Sequence, residues 1–481
     1  MSPPGLGSDA RPRIAVVLAA GLGTRMRSAW PKVLHRAAGQ PLLAWVVAAA
    51  RQAGCGRILA VVGHGAERVR EELAGDGLTW VLQAEQRGTG HALAQAEREI
   101  GAQEALLLVL SGDAPLVTAA TLSQLAAAAA GGWGAMAVAE LAEPGSLGRV
   151  LADADGGLER IVEAADASAE ALAVRLVNAG LYALPAPDVF SYLRRLTAAN
   201  AQGELYLTDA LTAAAADGKP VRLVRLADPL EALGVNDRAE LARVHRALLD
   251  RHAEALMRAG VTVLEPARTV IEPSVCVGPD TVVHPGVSLL GRTVVGGGCT
   301  LHQGAWLRDS RLGDQVIVEP YSVLDGAEVG DLCRVGPFAR LRPASRLLRG
   351  ARVGNFVEIK NAELGPGARA GHLAYLGDVA VGEGANIGAG VVTCNFDGRQ
   401  KHPSEVGRGA FIGSDTLLVA PVKVGDGATT AAGSVITKNV PPGALAVGRV
   451  RQKNLAGRAG GLHSRRGRAG GRAPAPGGED S

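Results

Sequence analysis

The stretch "IGSDTLLVAPVKVGDGATTAAGSVI", Ile412 to Ile436, decides the fold of the C-terminal half. Ile412, Leu418 and Val424 stand six residues apart, and Thr430 and Ile436 continue the register. A branched apolar residue at every sixth position, with Gly or Asp at the corners, is the signature of a parallel β-helix, in which three-sided coils stack and their inward side chains build one column. Ile317, Val323, Val329, Val335 and Leu341 repeat the pattern upstream, and Val381, Ile387 and Thr393 form another run, offset by an insertion. All are expected to point inward. The same architecture accounts for 65 glycines and an aromatic content of 3% without invoking disorder.

Upstream the period changes. Between Arg13 and about Ala227, apolar runs such as "IAVVLAAG", "RILAVVG" and "EALLLVLSGD" alternate with helical patterns such as "PLLAWVVAAARQAG" and "TAATLSQLAAAAA". Continuous apolar strands joined by helical crossovers predict a mostly parallel, doubly wound sheet. The segment "DRAELARVHRALLDRHAEALMRA" carries Leu241, Val244, Leu248 and Leu256 at helical spacing, stops at Gly260, and reads as a connecting helix. The expected fold class is α/β, with a Rossmann-like domain over 13–236, a helical linker over 237–260 and a β-helix over 261–451. Residues 1–12 are read as a disordered N-terminus and 452–481, rich in Gly, Arg and Pro, as a disordered tail.

Composition narrows the function. Fifty Lys and Arg against 47 Asp and Glu leave a net charge of +3, which argues against a globally basic nucleic-acid binder. No run is long and apolar enough to cross a bilayer and the N-terminus lacks a signal-peptide core, so a cytoplasmic protein without membrane contact is expected. Five dispersed cysteines without a CxxC pair point to reduced, mostly buried thiols rather than disulfides or zinc.

Ligands of doubly wound sheets bind beyond the carboxyl ends of the strands, where "LAAGLGTRM" (Leu18–Met26) and "LSGDAPL" (Leu110–Leu116) lie. Met26 stands where a dinucleotide fingerprint needs its third glycine, and no GxxxxGK[ST] occurs. What remains is a glycine loop with Arg25 and Lys32 nearby, suited to a triphosphate that loses pyrophosphate, and Asp113, placed to hold Mg²⁺. Taken singly, Arg25 reads equally as a solvated loop cation and Asp113 as a helix-terminal carboxylate.

In order, "LAAGLGTRM", "PKVLH", "QAEQRGTGHA", "GDAPL", "IVEAADA", "VNAGLY", "GELYLTD" and "GVNDR" resemble the motifs of sugar-1-phosphate nucleotidyltransferases. The resemblance is nearest to the bacterial bifunctional enzymes that join an N-acetylglucosamine-1-phosphate uridyltransferase (UDP-N-acetylglucosamine pyrophosphorylase) to a glucosamine-1-phosphate N-acetyltransferase. It covers Arg13 to about Arg451. It implies that Leu18, Ala19, Ala20 and Gly21 line the uridine pocket, Arg25 and Lys32 neutralise phosphates, and Gln83, Gly88 and Thr89 read uracil. Ser111 and Gly112 flank Asp113, which with Asn236 would bind Mg²⁺, while Gly148, Glu163 and Asn178 would hold the sugar. Three departures lie near that sugar: Leu147 for an aromatic residue, Ser111 for a Tyr, and Ala179 for a Thr.

The β-helix carries its own polar set in "FARLRP", "NFVEIKNAEL", "GHLAYLGD" and "ANIGAGVVTCNFDG". Acetyl transfer to an amine needs a base that titrates near neutrality, which makes His372 the candidate catalytic residue, with Glu358 as the candidate to orient it. By the same resemblance Arg342 and Lys360 bind the sugar phosphate, and Tyr375 and Asn386 contact the same substrate. Ala389 supplies an oxyanion N–H, while Asn395, Phe396, Ser414, Ala432 and Arg449 contact acetyl-CoA, with Lys401 near them. Phe396 replaces a Tyr. The resemblance further implies a left-handed β-helix, a homotrimer with sites between subunits, and a product that feeds peptidoglycan and, in some bacteria, lipopolysaccharide. The alternatives are a single-activity nucleotidyltransferase with a structural or regulatory β-helix, or a scaffold that recruits a partner through its basic tail.

Overall fold

The computed structural model describes residues 11–456 and residue 458. Residues 1–10 and most of the stretch expected to be a disordered tail lie outside the described residues. The chain divides into two compact units. One holds the described residues up to Gly297 together with Leu307–Asp309, and the other holds Gly298–Trp306 and the residues from Ser310 onward.

In the first unit the apolar runs become β1 (Arg13–Ala19), β2 (Arg57–Val62), β3 (Thr79–Leu82), β4 (Ala105–Ser111), β5 (Gly134–Glu140), β6 (Leu176–Ala186) and β7 (Val221–Arg225). They form one sheet in the order β7-β5-β6-β4-β1-β2-β3. β1 runs parallel to β2 and β4, β2 to β3, and β5 to β7, while β6 is antiparallel to both neighbours. Alternate residues of β1 enter opposite cores: Ala15 and Val17 pack on one face, Ile14 and Val16 on the other. Burial of both faces is why these strands read as unbroken apolar runs.

The connecting helix spans Arg238–Arg258, and Asp237 caps it by accepting a bond from the Glu240 N–H. Val244, Leu248 and Leu249 pack with Met26, Leu42, Leu116 and Val235 in a third apolar cluster. Arg251 donates to the Leu116 carbonyl (2.6 Å), and His245 Nδ1 accepts from the Ala38 N–H (3.0 Å). Burial, first, and Arg246 lower the His245 pKa, so its ring serves as a neutral acceptor. Short parallel strands follow, pairing Thr262–Val263 with Val282–Val283 and Val270–Ile271 with Ser288–Leu289.

The second unit is a left-handed parallel β-helix. Its strands pair in parallel, mostly with residues 17 or 18 positions away, as in Ile317 with Arg334 and Arg334 with Arg352, and with residues 25 away across the insertion, as in Asn386 with Phe411. Ile412, Leu418, Val424, Thr430 and Ile436 all point inward, as do Val381, Ile387 and Thr393. The upstream run needs one correction. Val329, Val335 and Leu341 are buried, but Val323 is 36% exposed and Ile317 only half-buried, because Val318 and Leu324 take the inward places. Leu324 and Val329 are five residues apart, so this corner is one residue short and shifts the register of what precedes it.

Buried hydroxyls close the corners: Ser345 Oγ shares its proton between the Arg342 and Ile359 carbonyls (2.6 and 2.9 Å), so this buried donor is satisfied. The insertion is a loop between Val392–Cys394 and Ser404–Val406, after which the coils resume. The cysteines are free; Cys55, Cys299 and Cys333 are buried, Cys394 is half-buried, and Cys276 is exposed. Among the described residues no helix is long and apolar enough to cross a membrane.

The corrected register has a direct test. Leu324→Ala, which empties a fully buried place, should cost about 2–5 kcal/mol in denaturant unfolding of the β-helix. Val323→Ala, on the outside, should cost less than about 1 kcal/mol.

Candidate functional site

Parallel pairing sets Leu18 of β1 beside Ser111 of β4, and the Gly112 N–H continues the ladder to the Leu18 carbonyl (2.9 Å). The glycine loop and the "SGD" turn therefore open side by side at the strand ends, around a cavity of about 590 Å³. Leu18, Ala19, Ala20, Gly21, Arg25, Lys32, Gln83, Gly88, Thr89, Ser111, Asp113 and Asn236 all line it. Gly23 turns the loop with φ +63°, and a Cβ there would come within 2.7 Å of Lys32 Cβ, so the bare backbone lets the lysine reach inward. Gly88, at φ +103°, passes so near Leu205 that a Cβ would lie 2.6 Å from its carbonyl oxygen.

Charge concentrates at one end. Lys32 Nζ bridges the Asp113 carboxylate and Asn236 Oδ1 (3.3 Å), and Ser111 Oγ donates to the other Asp113 oxygen (2.6 Å). Ser111 thus has a positioning task open to a hydroxyl. Asn236 is fixed by the helix cap, since its N–H donates to Glu240 (2.6 Å) and the Glu240 N–H donates to Asp237 (2.8 Å). Two oxygen donors converging beside a cation suit a hard divalent ion that draws its remaining ligands from phosphates and water. Among the described residues no three His, Cys, Asp or Glu gather to form an all-protein cage.

Gly148, Glu163 and Asn178 are not cavity walls but form a cluster joined to one. The Asn178 N–H donates to the Gly148 carbonyl (2.9 Å), and a Cβ on Gly148 would lie 3.1 Å from Glu163 Oε2. Asn178 Nδ2 donates to the hydroxyl of Tyr182, a wall residue (2.7 Å). Glu163 accepts from Thr208 Oγ1 (2.9 Å). Burial raises the Glu163 pKa; the Thr208 bond opposes this, while Asp209 and Asp166 add to it. Half-buried Leu147 packs against the apolar core, with its carbonyl held by Arg149, and Ala179 is buried. Sequence reasoning missed Thr24, Gln86, Tyr182, Gln202 and Glu204 as wall residues. Tyr182, Gln86 and Glu204 lie inside motifs already quoted, and only the fold shows which way they face.

In the β-helix the coil period stacks the other candidates along two edges. Asn355 pairs with His372, and the corner bonds run on from Ala389 to Asp415 and from Ser414 to Gly433. His372, Ala389, Ser414 and Ala432 thus climb one edge, with Arg449 beside Gly433 at its end. Arg342, Lys360, Asp378 and Asn395 climb the other; Asp378 accepts from both Asn361 (2.6 Å) and Asn395. Tyr375 lies on the face between the edges, stacked on Glu358, whereas Asn386 lies on the adjoining face, stacked on Arg369. Phe396 is exposed on the inserted loop, where it bridges to Lys401.

Glu358 does not orient His372. It pairs with Arg342 (2.9 Å), and the partner of His372 Nδ1 is Asn355 Oδ1 (2.7 Å). The signal was present in the sequence: Asn355 precedes His372 by 17 residues, one coil. The Lys360 pKa is lowered by the adjacent Lys401, first through direct contact and then through charge, and by Arg342. Three cations crowded in this way concentrate positive charge that an anion could answer.

Residues 15–263 match the family described as the MobA-like NTP transferase domain. Three curated relatives, each called "Bifunctional protein GlmU", align over 92% of this chain. The protein of Trichlorobacter lovleyi is 46% identical over 97% of its own length, that of Stutzerimonas stutzeri 48% over 97%, and that of an Anaeromyxobacter species 47% over 91%.

Because burial raises the Glu163 pKa, the folded state holds this proton more tightly than the unfolded chain does. That stabilisation is complete below the ordinary glutamate range and is lost as pH rises through the higher folded value. Glu163→Gln cannot ionise and still accepts from Thr208. Its denaturation midpoint should exceed that of the parent at about pH 7.5, and the gap should close near pH 4.

Proposed function

Because the chain belongs to the family of bifunctional GlmU proteins, with a MobA-like NTP transferase domain over residues 15–263, we propose how its two reactions are divided between its parts. It is a bifunctional enzyme. It acetylates glucosamine-1-phosphate with acetyl-CoA, and it transfers UMP from UTP to N-acetylglucosamine-1-phosphate, giving UDP-N-acetylglucosamine and pyrophosphate. We assign uridylyl transfer to 13–236, linkage to 237–260 and acetyl transfer to 261–451. The observation that supports this most is the convergence, on one cavity, of twelve residues drawn from separate motifs.

In the nucleotide cavity the loop backbone from Leu18 to Gly21 cradles uridine and phosphates, Gln83, Gly88 and Thr89 meet the base, and Gly148, Glu163 and Asn178 meet the sugar. Arg25 and Lys32 offset charge on the departing pyrophosphate as the sugar phosphate oxygen attacks the α-phosphorus; positioning and charge stabilisation suffice. This nucleotidyltransferase needs a divalent metal, for which Mg²⁺ is our reading. Asp113 and Asn236 would hold it, and when bound it supplies further compensation of phosphate charge. Binding would free Lys32 from Asp113 to meet phosphate.

On the β-helix, Arg342, Lys360 and Lys401 take the phosphate of glucosamine-1-phosphate, with Tyr375 and Asn386 on its sugar. His372 Nε2 removes the proton from the attacking amine, while Asn355 Oδ1 holds the proton of Nδ1 and fixes the tautomer. The Ala389 N–H faces the thioester oxyanion. Asn395, Phe396, Ser414, Ala432 and Arg449 line the course of acetyl-CoA. The product serves peptidoglycan and, in some bacteria, lipopolysaccharide, and the protein works in the cytoplasm.

We also propose a homotrimer. Tyr321, Phe338 and Phe356 are exposed yet stacked ring on ring, with centroids 5.5 and 5.4 Å apart, and exposed Leu373 continues their row beside His372. Such a row of apolar side chains fits burial against a second copy.

Two assays separate the halves. His372→Ala should lower thiol release from acetyl-CoA by at least about 100-fold while pyrophosphate release from UTP persists, and Asp113→Ala should do the reverse. Equal loss of both activities in either variant would refute the assignment. Phe338→Lys should dissociate the trimer in sedimentation or mass measurements.

A further inference from the structure

Gln83 follows β3 directly, and its side chain is buried, with 3% exposure, in the cavity wall. Its Nε2 donates to the Gly88 carbonyl (3.2 Å) and lies 3.0 Å from His91 Nδ1. On the far side of the ring, His91 Nε2 lies 3.1 Å from the amide of Gln95, which also reaches the His91 carbonyl (3.2 Å). Among the described residues Gln83 Oε1 has no protein partner.

A neutral imidazole carries one N–H, so its two nitrogens cannot both accept. A backbone carbonyl only accepts. Turning the buried Gln83 amide would bring two oxygens together at Gly88, so Nε2 stays and His91 Nδ1 is the acceptor for its second hydrogen. The ring proton then sits on Nε2. The half-buried Gln95 amide can turn its oxygen to meet it, because the His91 carbonyl keeps a bond from the Gln95 backbone N–H (3.3 Å).

We propose that His91 is a positioning residue for base selection: with the Gly88 carbonyl it holds the Gln83 amide so that only the carbonyl oxygen faces the bound base. An oxygen in that place takes a ring N–H lying between two carbonyls, the edge of uracil and thymine. It refuses cytosine, whose N3 offers a lone pair instead. Rejection by unpaired or opposed polar groups in a buried site is the strongest discrimination a pocket can build. The inference rests on the reading that Gln83 meets the base.

The test measures pyrophosphate release from UTP, CTP and dTTP with N-acetylglucosamine-1-phosphate, for the full-length parent and three variants. Circular dichroism and the thermal unfolding transition of the same preparations report their folding. His91→Leu removes the acceptor and should lower the UTP to CTP ratio of kcat/KM by about tenfold or more, mainly through KM for UTP, with the UTP to dTTP ratio unchanged. His91→Asn places a side-chain oxygen near the position of Nδ1 and should retain most of the ratio. The inference is overturned if His91→Leu slows all three nucleotides alike, or if His91→Asn loses the ratio as fully as His91→Leu does. Gln83→Ala separates the two levels of the argument. A UTP to CTP ratio unchanged in Gln83→Ala removes the reading that Gln83 meets the base, whereas a fall there without one in His91→Leu defeats the role of His91 alone.

Discussion

Parallel strand pairing carries both sites, because it lays residues from distant parts of the chain side by side and hands the loops beyond them a fixed spacing. In the first unit the pairing of Leu18 with Ser111 brings a glycine loop and an acidic turn to one mouth. In the second, the pairing of Asn355 with His372 gives an exposed imidazole its only short partner among the described residues. Neither arrangement comes from residues adjacent in sequence. A one-residue slip in either ladder would turn the side chains to the opposite face, so the apolar columns that fix register also fix the chemistry.

Electrostatics in the cavity at the strand ends then follows from how few groups are left unpaired. Lys32 is held between Asp113 and Asn236, and Asn236 is itself fastened by the cap of the connecting helix. A helix start so far from the glycine loop in sequence therefore sets the position of a candidate metal ligand. On the β-helix the balance is reversed: Arg342 is partly answered by Glu358, while Lys360 and Lys401 lie against one another as like charges.

The architecture was legible wherever a period repeats. Ile412 to Ile436 gave the inward column without error, because hydrophobic spacing reports burial directly. Ile317 and Val323 misled, since a five-residue corner is invisible when both neighbours of an apolar pair are apolar: Ile317 with Val318, Val323 with Leu324. Motifs brought most residues of the strand-end cavity together, yet they named no partner. Glu358, a carboxylate of the same polar set, is the companion expected for His372, but a coil places Asn355 there instead. Tyr182 and the Gln83, His91 and Gln95 chain were likewise unreadable, because hydrogen bonds between side chains depend on rotamers and tautomers that sequence spacing does not encode.

The inserted loop after Cys394 has a consequence for how such a molecule can change. The segment closes on itself: Asp397 accepts from the Gln400 N–H, the His402 ring and the Arg399 N–H, and these bonds, in that order, draw its pKa down to about 2. The coils before and after it still meet in ladder, Val392 with Leu417 and Ala380 with Glu405. Since each coil touches only its neighbours, length added at such a point is absorbed locally. Phe396 and Lys401 thus ride on a hairpin whose length can change without disturbing the stacked coils that display them.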